Sequence, residues 1–86
     1  MIQKVNLPVS VKTVFDHRRR ETRLTAVFFE GVEQAITRLG YHHTYRDGRT
    51  LHHVFSVAGL AIFFRLDFNA ENLIWLLTEV SDGETD

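Results

Sequence analysis

The segment from residue 41 to residue 68, YHHTYRDGRTLHHVFSVAGLAIFFRLDF, alternates between polar and apolar residues around two short turn signals. Asp47-Gly48 lies between two alternating runs, which is typical of a β-hairpin, because Asp and Gly tolerate the positive φ angles of a type I′ turn. Ala58-Gly59 is placed in the same way before the next run. The segment therefore predicts three consecutive antiparallel strands.

The pairing of these strands follows if each turn holds two residues. His43 then lies opposite His52, and His52 lies opposite Arg65. Directly opposed residues share one face of a sheet, and the faces alternate along each strand. The predicted core face contains Leu51, Phe55, Val57, Leu60, Ile62, Phe64, Leu66 and Phe68, with His42 and His53 at one end. The predicted outer face contains Tyr41, His43, Tyr45, Thr50, His52, Val54, Ser56, Ala61, Phe63, Arg65 and Asp67.

The flanking regions predict a helix and two further strands. Residues 5–11 alternate as a first strand, and Pro8, which has no N–H to donate, places that strand at an edge. The apolar spacing over Arg20 to Leu39 predicts an amphipathic helix that Asp16 caps and Gly40 ends. Residues 73–80, LIWLLTEV, are apolar on both faces, as in an inner strand, and either Ile74 or Trp75 faces the core.

The predicted fold is therefore α+β with the order β-α-β-β-β, in one domain over residues 1–86. One main amphipathic helix packs on one face of a four- or five-stranded, mostly antiparallel sheet, and the first strand joins the last. A single helix covers one face only, so the other face is left open to solvent or to a partner.

Composition excludes several classes of site. The chain has no cysteine, which excludes disulfides and thiolate metal sites. There is no glycine-rich phosphate loop, no GxSxG and no HExxH spacing, so no cofactor and no metal is predicted. The longest uncharged run, residues 51–64, is too short to span a bilayer. A cytoplasmic protein without a membrane partner is expected.

The net charge of −1 conceals a separation of signs along the chain. Residues 1–49 carry a net charge of +4, and residues 50–86, which include the acidic end SDGETD, carry −5. The basic half indicates an anionic partner, because guanidinium groups match phosphate oxygens. The candidate nucleic-acid-binding residues are Arg18, Arg19, Arg20, Arg23, Arg46 and Arg49. The alternative is a solvated surface on which the signs happen to segregate.

Four residues of the predicted outer face form a candidate catalytic set. His43 and His52 can exchange protons near neutral pH, Arg65 can hold a phosphate, and Tyr45 can stack on a base. RNA cleavage without a metal requires a base, an acid and a cation of this kind. A second interpretation places a metal between His43, His52 and Asp67, and a third leaves His42 and His53 as partly buried imidazoles.

The run HHVFSVAGLAIFFRLDFNAENLIWLLTEV, with the helical segment before it, resembles the C-terminal half of RelE/ParE-type toxins. In these toxins a strand, a short turn, an arginine-bearing strand, a polar loop and a final apolar strand follow a helix. The resemblance implies a ribosome-dependent endonuclease or a gyrase inhibitor that a paired antitoxin neutralises, with Arg65 as a phosphate contact. This chain departs from the pattern in its near-neutral charge and its acidic end.

Two functions are therefore expected. The first is a small toxin-like protein that acts on RNA or on a host protein target. The second is a non-enzymatic phage, immunity or antitoxin-type inhibitor that binds a protein partner through its sheet. In the second case residues 73–80 suit strand addition or a homodimer. The expected partners are a cognate antitoxin or host target, RNA, or a second copy of the chain.

Overall fold

The computed structural model describes residues 1–82, which form eight β-strands in two antiparallel sheets. The strands are β1 Ile2–Pro8, β2 Ser10–Asp16, β3 Glu21–Phe29, β4 Val32–Ala35, β5 Arg38–Asp47, β6 Thr50–Ala58, β7 Phe63–Asn69 and β8 Trp75–Ser81. One sheet has five strands in the order β1-β8-β7-β6-β5, and the other has three in the order β2-β3-β4. Most of the acidic end, residues 83–86, lies outside the described residues.

The predicted helix is wrong, and so is the α+β fold class, because residues 20–39 form the hairpin of β3 and β4 and no residue of 1–82 is helical. Glu30 and Gly31 connect the two strands with φ angles of +53° and +76°. Positive φ at both central residues defines a type I′ turn, whose twist matches paired strands. The β-branched and aromatic residues of β3 also favour a pleated strand over a helix.

The two residues predicted to begin and end the helix have other structural roles. Asp16 Oδ1 accepts hydrogen bonds from the main-chain N–H groups of Arg18 and Arg19, and so stabilises the turn between β2 and β3. Gly40 lies at an irregularity in β5 where the pairing with β6 shifts. A Cβ at Gly40 would lie 3.2 Å from the main-chain oxygen of Ser56, so the two strands approach closely there.

The predicted first strand is two strands that belong to different sheets. The chain passes from β1 to β2 at Val9, whose N–H donates to the carbonyl of Trp75. β1 is an edge strand that ends at Pro8, and it pairs with β8. β8 is an inner strand between β1 and β7, and Trp75 rather than Ile74 packs against the core.

The pairing of β5, β6 and β7 differs from the predicted register by an even number of residues. His52 lies opposite Tyr45 instead of His43, a shift of two, and opposite Asn69 instead of Arg65, a shift of four. The first loop is Gly48-Arg49 rather than Asp47-Gly48, and the second loop is longer than two residues. Because side chains alternate with a period of two, even shifts leave every paired residue on its predicted face.

The core lies between the two sheets. Leu24 and Val27 of β3 pack against residues of β6, β7 and β8, namely Phe55, Val57, Phe64, Leu66 and Leu77. The three-stranded sheet thus covers the face that the predicted helix would have covered. Leu60, a predicted core residue, is 93% exposed because it lies in the loop between β6 and β7. Across residues 1–82 no helix has the length and apolar character needed to cross a membrane.

Candidate functional site

The outer face of β5, β6 and β7 carries the four candidate catalytic residues. The pairing arranges them in three rows: Tyr45 with His52 and Asn69, His43 with Val54 and Asp67, and Tyr41 with Ser56 and Arg65. His43, His52, Tyr45 and Arg65 therefore share one face, as predicted. His43 and His52 form a diagonal pair, and diagonal neighbours on one face of an antiparallel sheet lie roughly 7–8 Å apart.

Asp67 is the centre of this face. Its Oδ1 lies 2.7 Å from Nδ1 of His52, and its Oδ2 accepts a hydrogen bond of 2.6 Å from the hydroxyl of Tyr45. The Tyr45 ring stacks on the His52 imidazole with ring centroids 4.6 Å apart. The side chains of His52 and Asp67 are only 15% and 14% exposed. One carboxylate therefore holds two aromatic side chains in a fixed arrangement.

This arrangement determines what the two aromatic groups can do. The hydrogen bond to Asp67 raises the pKa of Tyr45 to about 12, and burial and the charges of Asp67 and Asp47 add to the effect. Tyr45 therefore stays protonated at neutral pH and acts as a hydrogen-bond donor. A carboxylate that accepts from Nδ1–H of an imidazole leaves Nε2 as the nitrogen with a lone pair. Nε2 of His52 can thus accept a hydrogen bond from a ligand.

The predicted set for RNA cleavage is not brought together. Arg65 lies opposite Ser56, four residues along β6 from His52, which corresponds to roughly 13 Å between main chains. Its guanidinium also lies 3.4 Å from the carboxylate of Glu79. The residue opposite His52 is therefore Asn69 rather than the expected Arg65, and the charged group in contact with His52 is the carboxylate of Asp67. The register shift of four residues is the cause.

His42 and His53 contact each other at the other face of the same strands. Nε2 of His42 lies 3.0 Å from Nδ1 of His53, and the His42 ring stacks on Phe55 with centroids 4.3 Å apart. Burial against this ring, and then the nearby His53 and His43, lower the pKa of His42. Of the two imidazoles expected to be partly buried, His53 is half-buried, whereas His42 is exposed. Within residues 1–82 no three His, Asp or Glu side chains are placed to hold a metal ion.

The six predicted nucleic-acid-binding arginines fall into two groups. Arg18, Arg19 and Arg20 lie in the loop between β2 and β3, Arg23 lies in β3, Arg46 lies in β5 and Arg49 lies in the loop after it. Arg19 and Arg23 line a cleft together with Arg38, the first residue of β5. Arg46 lies eight positions after Arg38, roughly 26 Å along the strand. No continuous basic surface connects the two groups through β5.

β5 is the most exposed strand of the described chain. All ten of its residues, Arg38–Asp47, are exposed, and its outer edge pairs with no other strand of residues 1–82. Tyr41, which is 62% exposed, and His43 lie with their rings 5.2 Å apart on the outer face. Large aromatic side chains of this kind are enriched in protein interfaces.

Sequence reasoning missed the roles of two residues in these sites. The predicted register places Asp67 in one row with Thr50 and Tyr45 and diagonal to His52, but it does not predict that one carboxylate contacts both Tyr45 and His52. The predicted helix places Arg38 on its solvent-exposed face. The Glu-Gly pair at residues 30–31, which is a turn signal, could have indicated the hairpin that brings Arg38 to the start of β5.

Comparison with family models, with curated proteins and with solved structures finds no match for this chain. The resemblance to RelE/ParE-type toxins therefore stays a prediction, and the helical segment on which it partly rests is the hairpin of β3 and β4. The site is described by its own geometry alone.

Proposed function

We propose that this chain is a non-enzymatic binding protein that takes up an acidic, extended segment of a partner protein by strand addition to β5. The observation that carries the proposal is the contrast between β5 and the other three sheet edges. An exposed edge strand presents unpaired N–H and C=O groups that can pair with another chain.

Three of the four edges carry features that oppose strand addition. β1 ends in Pro8 and has an irregular register between Lys4 and Leu7. The pairing of β2 with β3 shifts between Lys12 and Thr13, where β3 has the extra residue Thr25, and β4 is only four residues long. Proline, bulges and short length are the usual means by which proteins block their edges. From Tyr41 to Asp47, β5 has none of these features and pairs with β6 without interruption.

The main-chain groups that a partner would meet follow from the hairpin. The residues that flank a two-residue loop, here Asp47 and Thr50, exchange hydrogen bonds, and the exchange recurs at every second pair. The N–H and C=O groups of His42, Thr44 and Arg46 therefore point away from β6. They offer a regular edge to an incoming strand.

Charge favours an acidic partner over a second copy of the chain. Residues 38–49 contain three arginines and one aspartate, so two such edges would repel each other, whereas an acidic segment would be attracted. The strand predicted to receive a partner, residues 73–80, is instead an inner strand paired on both sides. Toxin-like cleavage of RNA is not part of this proposal, because Arg65 lies away from His52.

The test uses peptides selected from a random displayed library against the wild-type chain. Thr44→Pro removes one outward N–H without removing a bond to β6, and proline is tolerated at such edge positions. Thr44→Ala is the matched control, since it changes the side chain and keeps the N–H. We expect selected acidic peptides to bind Thr44→Pro at least ten-fold more weakly than Thr44→Ala, and to slow amide exchange at residues 42, 44 and 46.

Two results would contradict the proposal. In the first, peptides bind Thr44→Pro and Thr44→Ala equally, which means that the β5 edge is not used. In the second, sedimentation shows that the wild type is a dimer that Thr44→Pro dissociates, which assigns the edge to a second copy. Circular dichroism of both variants checks that the fold is retained.

A further inference from the structure

A cleft of about 400 Å³ lies where the loop between β2 and β3 meets the start of β5. Both sheets contribute to it, since β3 belongs to the three-stranded sheet and β5 and β6 belong to the other. Its volume falls in the range of small-molecule sites, roughly 300–1,000 Å³. No residue of the Tyr45, His52 and Asp67 cluster and no residue of β5 beyond Leu39 lines the cleft.

The floor of the cleft is apolar. Leu24 and Val57, which are both buried members of the core, lie at its base, and Ile36 and Leu39 extend the apolar surface. Thr37 holds the adjoining chain in place, because its N–H and hydroxyl both donate to the carbonyl of Ala58. The cleft therefore has a formed apolar base that can take a hydrocarbon group.

Three arginines line the cleft. Arg19, Arg23 and Arg38 come from a loop and two strands that are distant in sequence, and no ion pair within residues 1–82 involves any of them. Two carboxylates, of Asp16 and Glu21, also line the cleft, so its formal charge is +1. Asp16 Oδ1 accepts from the main-chain N–H of Arg19, which fixes the loop that carries this arginine.

We infer that the cleft binds a small organic anion that has an apolar body and one carboxylate or phosphate group. Guanidinium forks pair with either group through two parallel hydrogen bonds. The apolar floor accounts for the body of the ligand. A nucleic acid is disfavoured, because it requires an extended track of cations: Arg18 and Arg20 lie in the same loop as Arg19, but the next arginine on β5 lies roughly 26 Å from Arg38.

Phenyl phosphate is the probe, and its binding is followed by amide chemical shifts in NMR spectra of the full chain. We expect saturable shifts at residues 19, 23, 38 and 39, and binding at least ten-fold weaker in Arg23→Gln and in Arg38→Gln. Arg46→Gln is the matched control, since it removes an exposed arginine of the same strand outside the cleft. Inorganic phosphate is expected to bind at least ten-fold more weakly than phenyl phosphate.

Four outcomes would overturn the inference. The first is the absence of saturable shifts with phenyl phosphate, and the second is that Arg46→Gln weakens its binding as much as Arg23→Gln and Arg38→Gln do. The third is that inorganic phosphate binds as tightly as phenyl phosphate. The fourth is that a short single-stranded oligonucleotide binds more tightly than phenyl phosphate and that its binding depends on Arg46. The first three exclude a site for an apolar anion, and the last assigns the arginines to nucleic acid. Because Thr44 lies outside the cleft, the result is independent of strand addition to β5.

Discussion

The His42 ring stacks on Phe55 and contacts His53, and this environment favours its neutral form. Its pKa is lowered by burial first, and then by His53 and His43. Because the pKa of His42 is lower in the folded chain than the unfolded value of 6.5, the unfolded chain binds more protons than the folded chain as the pH falls through this range. We therefore expect the free energy of unfolding to decrease as the pH is lowered through about 6.5, and His42→Phe to reduce this decrease.

The His42→Phe variant is informative because a phenyl ring can keep the stacking on Phe55 while it removes the titrating group. Urea unfolding of the wild type and the variant over a range of pH measures the difference. His17→Gln, in the loop between β2 and β3, is the control, since it removes a histidine of a different part of the chain. An identical pH dependence in the wild type and His42→Phe would show that His42 does not contribute.

Among single residues, the gathering of the histidines was predictable from the sequence, and their individual partners were not. Alternation places His42 and His53 on one face and His43 and His52 on the other, and this assignment holds for any register that differs by an even number of residues. The contact between His52 and Asp67 depends on the length of the loop between β6 and β7. Loop length is weakly encoded in Ala58-Gly59, since a Gly can serve several turn types.

At the scale of elements, the turn between β3 and β4 is the feature that replaces the predicted helix. Gly31 has a φ angle of +76°, and a Cβ there would meet no atom within 4 Å. Any cost of Gly31→Ala is therefore conformational. We expect Gly31→Ala to lower the free energy of unfolding by about 1–2 kcal/mol, because an L-residue is disfavoured in the left-handed region.

Gly31→Asn is the matched control for that substitution, since Asn enters the left-handed region more readily than Ala. Chemical denaturation should place it between the wild type and Gly31→Ala. If both substitutions left the stability unchanged, the type I′ turn assigned to Glu30 and Gly31 would be wrong.

At the scale of the whole molecule, stability depends on the core that the two sheets enclose. Phe64 of β7 is 2% exposed and contacts Phe29 of the opposite sheet, with ring centroids 5.9 Å apart. Phe64→Ala would leave a large cavity between the sheets, and we expect it to cost roughly 3–5 kcal/mol. Such a loss is a large part of the roughly 5–15 kcal/mol that stabilises a typical domain.

Phe63→Ala is the matched control for Phe64→Ala, because Phe63 is the preceding residue, lies on the outer face and is 41% exposed. We expect it to cost less than about 1 kcal/mol, as exposed substitutions usually do. Equilibrium unfolding in urea compares the two variants. A loss below about 1 kcal/mol for Phe64→Ala would mean that the core face is misassigned.

The sequence by itself determined which residues of β5, β6 and β7 share a face, because a period of two survives any even shift of register. It also determined the edge position of β1, since Pro8 cannot donate to a second neighbour. The tertiary structure decided the register, which brings Asp67 rather than Arg65 to His52. The tertiary structure also decided that residues 20–39 form strands. The apolar face of the five-stranded sheet needs a covering layer, which either a helix or a second sheet can supply. Here the pairing of β2, β3 and β4 makes that layer a sheet.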